Sequence, residues 1–110
     1  MSNLNTSTTL IGDSKILKIK LNSNLLNEEA NSIRRLINLS IKYDFDQVFI
    51  DSKNVENINL SGINEVIHSH YQLQKTQQKL VLVYKDNTEM KKWVSNTGLE
   101  NFVETAIIPS

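Results

Sequence analysis

Two histidines, an aspartate at the end of an apolar run and a serine beside a glycine are the side chains here that invite a chemical reading. His68 and His70 stand two residues apart, and on a helix that spacing sends them to different faces. No carboxylate lies at a spacing that would complete a metal site with either. His70 reads as a half-buried residue at the end of an inner helical stripe, and His68 as solvated. Asp51 follows Val48-Phe49-Ile50, and the carboxyl ends of strands are where open α/β sheets gather ligands. No second carboxylate is placed to hold magnesium with it, so Asp51 reads as a structural group bonding loop N–H donors. Only three glycines occur, unclustered, and no Gly-x-Ser-x-Gly, Walker or dinucleotide pattern is present. Base, nucleophile and oxyanion donor do not assemble from these residues. The sequence reads as a non-enzyme with no cofactor, no metal and no catalytic residue.

Binding chemistry points to one stretch. Val48-Phe49-Ile50-Asp51 reads as a buried strand, and 51–60 as a polar loop in which Val55, Ile58 and Leu60 are isolated apolar anchors. Ser61 follows as the expected N-cap of an amphipathic helix, its oxygen accepting from a first-turn N–H. Such a junction presents free N–H groups and the positive end of a helix dipole at one surface point, which suits phosphate or carboxylate. The candidate site is therefore the loop and helix start Asn57, Ile58, Asn59, Leu60, Ser61 and Gly62.

The elements that must hold this junction follow from pattern. Thr8–Ile11 and Ile16–Leu21 flank Gly12-Asp13-Ser14 as a hairpin, with Lys18 and Lys20 outward. A helix runs from about Asn27 to Tyr43, its inner stripe Ala30, Ile33, Ile37, Ser40 and Ile41. Arg34, Arg35 and Lys42 fall on its solvated faces. The strand Gln47–Asp51 precedes the loop, and the Ser61 helix continues to about Gln77 through Ile63, Val66, Ile67, His70 and Leu73. Lys79–Tyr84 is a buried strand. Asn87 or Thr88 caps a third helix carrying Met90, Trp93 and Val94 inward, stopped at Gly98 with Leu99 behind it. Phe102–Ile108 is the last strand. The order β-β-α-β-α-β-α-β argues for an α/β fold with a largely parallel sheet. The expected core is Ile19, Ile33, Ile37, Phe49, Ile50, Ile63, Ile67, Leu80, Leu82, Trp93 and Leu99.

Composition bounds the rest. The 110 residues make one expected domain, 1–110, with 1–7 as a disordered polar tail. Twelve basic and twelve acidic residues cancel, so no overall field favours nucleic acid or an anionic membrane. The absence of cysteine excludes disulfides and thiolate sites. No apolar run approaches a membrane span of about 20 residues, and no signal peptide is visible. A cytoplasmic location is expected.

The run Val48 to Ile63, with Asn59-Leu60-Ser61-Gly62 at its end, resembles the hallmark segment of the STAS family, the sulphate-transporter and anti-sigma-factor-antagonist domains. There a hydrophobic strand leads through a loop to Asp-Ser-Ser-Gly or Asp-Ser/Thr-x-Gly at a helix start. The tail Trp93 to Val103, with Thr97-Gly98-Leu99, is similar to the family's closing pattern, and the element order agrees from about Leu10 to Ile108. The resemblance implies a mixed, mostly parallel sheet of four or five strands, with an N-terminal hairpin and three or four helices beside it. It also implies a binding module. Bacterial single-domain members bind an anti-sigma factor with a kinase-like fold, which phosphorylates the Ser or Thr after the motif Asp and so releases itself.

This sequence departs from that pattern at the centre of the motif. The Asp aligns with Asn59 and the phosphoacceptor with Leu60, which cannot be phosphorylated. The switch is then either lost or shifted to Ser61, the remaining candidate phosphoacceptor. Leu60 is either an apolar tip that docks into a partner or a residue folded back into the core. Two other roles stay open: a cytoplasmic subunit of an ABC-type lipid transporter, touching a membrane only through its partner, and a nucleotide- or lipid-binding module. The oligomeric state is not legible.

Overall fold

The computed structural model describes residues 4–109. Strands β1 (Leu4–Ile11) and β2 (Ser14–Leu21) form an antiparallel hairpin closed by Gly12 and Asp13, with Ile11 opposite Ser14. Gly12 takes φ +60°, a value at which a side chain is strained and which two-residue hairpin turns need. The chain continues through β3 (Asn24–Leu25), α1 (Asn27–Lys42), β4 (Gln47–Asp51), β5 (Asn57–Ile58), α2 (Leu60–Lys75), β6 (Lys79–Lys85), α3 (Glu89–Thr97) and β7 (Glu104–Ile108). A 3-10 turn over Leu99–Asn101 joins the last two, after Gly98 has closed α3 at φ +69°.

The main sheet has the order β1-β2-β4-β6-β7, parallel throughout except for the hairpin. The family-implied architecture, a mixed and mostly parallel sheet with three α-helices beside it, is what the chain adopts. Each crossover moves to the next strand in the same direction, so right-handed connections place the helices on one face. The core lies between that face and the helices. Ile19, Leu21, Ile50, Leu82 and Tyr84 from the sheet meet Ile33, Ile37, Ile63, Leu73 and Met90 from the helices, all essentially inaccessible.

One-sided cover corrects part of the expected core. Phe49 is only half-buried, because its register turns it to the helix-free face beside Lys18, Lys20 and Asp51. Ile67 and Trp93 pack at the rim of the core, half-buried. The other eight expected core residues are buried.

The N-terminal expectation is corrected as well. Leu4–Ser7, read as part of a disordered tail, form the first half of β1 and pair with Lys18–Leu21. Leu4 is buried against the core. The polar run Asn5 to Thr8 is exposed along an edge strand, so the sequence shows no alternation there, and β2 supplies the order. Residues 1–3 of the expected tail lie outside the described residues.

Candidate functional site

The junction between β4 and α2 is held by a small accessory sheet that the sequence did not signal. β3 and β5 pair in parallel, Asn24 with Asn57 and Leu25 with Ile58. Ser23 carbonyl accepts from the N–H groups of Glu56 and Asn57, at 2.8 and 3.1 Å. Two asparagine pairs extend the tie: Asn57 Nδ2 donates to Asn24 Oδ1 at 2.8 Å, and Asn59 Nδ2 to Asn27 Oδ1 at 2.8 Å. The start of α1 and the start of α2 are thereby fixed to each other. Upstream, Asp51 Oδ1 accepts from the Lys53 N–H at 3.1 Å, the structural role read for it, and Val55 is buried beneath the loop.

Asn59, not Ser61, is the N-cap of α2. Its Oδ1 accepts from the Gly62 N–H at 3.0 Å, and its backbone is extended at φ −129° and ψ 176°. The helix therefore begins at Leu60, two residues earlier than a Ser61 cap would place it. Asparagine and serine are comparable caps, and the apolar Leu60 between them obscures the boundary in the sequence. Ser61 is the second helical residue, exposed, with no hydrogen bond to its hydroxyl among the described residues. The N–H groups of Leu60 and Ser61 belong to the unpaired first turn of α2.

Gly62 sits where only glycine fits. A Cβ there would lie 2.1 Å from the Leu25 carbonyl oxygen and 2.7 Å from its carbon. This contact seats the first turn of α2 directly on β3. Of the six candidate residues, then, Gly62, Asn59 and Ile58 are partly or wholly buried structural members. Asn57, Leu60 and Ser61 form the accessible part. Leu60 is 60% exposed and does not fold back into the core.

Beside this point a groove of about 620 Å³ runs between α1 and α2, with Ser61, Asn64, Glu65 and His68 on one wall and Asn31 and Arg34 on the other. Arg34 pairs with Glu65 at 2.8 Å, a bond between two helices that no local pattern announces. The signal available was a carboxylate beside Val66 on the inward side of α2. His68 is exposed, as read. His70 is half-buried and packs on Tyr71 and Phe102, with ring centroids at 5.1 and 5.6 Å. Its burial lowers its pKa below the ordinary 6.5, since desolvation disfavours the cation. No group of three or more His, Asp or Glu able to hold a metal occurs among the described residues.

The STAS domain family profile matches residues 8–109. The chain belongs to the STAS domain family. The same fold recurs in solved structures. The anti-sigma factor antagonist SpoIIAA in its unphosphorylated form matches with a TM-score of 0.67 at 14% identity, covering 93% of this chain and 87% of that one. An anti-sigma factor antagonist from Mycobacterium paratuberculosis gives 0.71 at 14%, with coverage of 93% and 84%. The phosphorylated form of SpoIIAA from Bacillus gives 0.67 at 16%, with coverage of 93% and 91%. At these identities the likeness is one of fold. No curated protein matches the chain by sequence. No helix among the described residues is long and apolar enough to cross a membrane.

Proposed function

We propose that this STAS chain is a non-catalytic, cytoplasmic interaction domain that binds a protein partner through the loop Asn57–Gly62 and the exposed side of α2. The partner class is a kinase-like anti-sigma factor or a similar signalling protein. The observation that carries this reading is Leu60: a leucine 60% exposed at the first position of α2, on a rigidly tied loop. A large apolar side chain held out on a fixed backbone is pre-organised for a partner pocket, and little entropy is lost on docking.

Ser61 is the candidate phosphoacceptor in this reading. With Asn59 serving as cap, the Ser61 hydroxyl is not engaged in holding the helix. A phosphate at the second helical residue would sit at the positive end of the dipole, so α2 would keep its fold. Its charge of nearly −2 beside Leu60 would instead oppose an apolar contact.

The test is a titration of a candidate partner from the gene neighbourhood against wild type, Leu60→Ala and Leu60→Asp, with phosphate mapping of protein from cells. Leu60→Ala should cost on the order of 1–3 kcal/mol of binding, and Leu60→Asp more. Unchanged affinity in Leu60→Asp would remove this loop from the interface. Phosphate on Ser61 would mark a switch shifted by one residue.

A further inference from the structure

A buried carboxylate with half of its bonding capacity unmet lies in the wall of the α1–α2 groove. Glu65 is 4% exposed, and Arg34 spends both of its bonds on a single oxygen, Oε1, from Nε at 3.0 Å and Nη2 at 2.8 Å. Glu65 Oε2 is sealed from solvent and has no hydrogen-bond partner. An ionised carboxylate accepts only, through about four lone-pair sites on its two oxygens, so what Oε2 lacks is a donor. The cation already in place stands at the open side of the groove: the Arg34 side chain is 61% exposed while its guanidinium bonds Glu65 Oε1. For a ligand in the groove to reach Oε2, the side chains that seal it must turn aside.

We infer that this groove receives a basic side chain, an arginine presented by the protein partner, whose guanidinium donates to Glu65 Oε2. The surroundings favour arginine over lysine. A guanidinium presents five N–H donors in one plane and stacks on aromatic faces, whereas an ammonium is a compact, strongly hydrated point charge. The groove offers acceptors in several directions, from the Ser61 hydroxyl and the side-chain carbonyls of Asn31 and Asn64. It also offers a flat platform in Tyr71, 49% exposed and held by stacking on Phe102 at 6.0 Å and 17°. That the arginine comes from a protein rests on the partner-binding reading above; the chemistry of the groove does not.

The test uses the intact chain and a defined probe, acetyl-Gly-Arg-Gly-amide, titrated by NMR, with the citrulline peptide as the uncharged isostere. The arginine peptide should give saturable shifts centred on Asn64, Glu65 and His68, and citrulline should bind about tenfold more weakly or less, as expected when one charge-assisted hydrogen bond is lost. Glu65→Gln should weaken the arginine peptide by about the same factor. Absent shifts, equal binding of citrulline, or unchanged binding in a folded Glu65→Gln protein would overturn the assignment. If Glu65→Gln does not fold, Arg34→Gln decides: removal of the internal competitor should strengthen peptide binding, and unchanged or weaker binding would overturn it. A partner indifferent to Leu60→Asp would end the docking-loop reading while leaving the peptide titration standing. A failed titration would end the groove assignment alone.

Discussion

Replacing Asn59 with alanine removes two bonds with separable roles. The first is the cap to the Gly62 N–H at 3.0 Å, and loss of such a cap costs about 1 kcal/mol. The second is the 2.8 Å bond to Asn27, an exposed amide pair that contributes about 0.5 kcal/mol. Together the loss is about 1.5 kcal/mol. With a urea slope of about 1–3 kcal/mol/M, the denaturation midpoint should fall by roughly 0.5–1.5 M. Asn59→Asp retains the cap oxygen and adds a charge that suits the helix start, while giving up the donor to Asn27; it should lie within about 0.5 kcal/mol of wild type. Ser61→Ala should be equally mild, about 0.5 kcal/mol or less, because its hydroxyl holds nothing in the fold. Urea melts of the three variants, followed by circular dichroism, separate these cases. A Ser61→Ala cost as large as that of Asn59→Ala would refute the cap assignment, and with it the availability of the Ser61 hydroxyl for modification.

Other perturbations probe other links. Leu82→Ala, at a position with no exposure in the central core, should cost roughly 2–5 kcal/mol in the same melts, and a cost under about 0.5 kcal/mol would contradict the sheet order. Gly62→Ala should destabilise despite alanine's helix advantage of about 1 kcal/mol, because the new Cβ meets rigid backbone at Leu25; a stabilised variant would contradict that seating. His70 titrates below 6.5 in the folded chain, so the unfolded chain binds more protons between the two pKa values. The stability due to its neutral form is complete above about pH 6.5 and is lost as pH falls through the folded value. Stability measured from pH 7.5 to 5 should show this loss, reduced in His70→Gln, and an NMR pKa for His70 at or above 6.5 would reverse the sign.

The legible parts of the fold were those in which a local pattern carries the whole signal. Gln47–Asp51 and the Thr88 cap of α3 stand where β-rich composition and cap chemistry place them. β1 was cut short because an edge strand needs no alternation, and only its partner β2 explains Leu4–Ser7. Phe49 reads as core in the sequence because an apolar triplet does not reveal that helices cover one face of the sheet. The strand-loop-helix junction proposed as the site was legible from a strand, a loop and a Ser-Gly pair, but its construction was not. The Asn27–Asn59 tie, the seat of Gly62 on Leu25 and the Arg34–Glu65 pair all join α1 or its approach to α2. Contacts across that span leave no periodicity to read.

The strand order has a bearing on how the chain is made. Because β1, β2, β4, β6 and β7 lie in the sheet in the order of their synthesis, each emerging strand finds its neighbour already laid down. Ile16 is waiting when Gln47 arrives, and Gln47 when Lys79 does. The growing sheet never holds a slot open for a strand still to come, and its single advancing edge is covered at each step by the next β-α unit. Ribosome-stalled chains of increasing length should therefore gain protease protection in steps, one for each strand from β4 onward, and not in one transition at release.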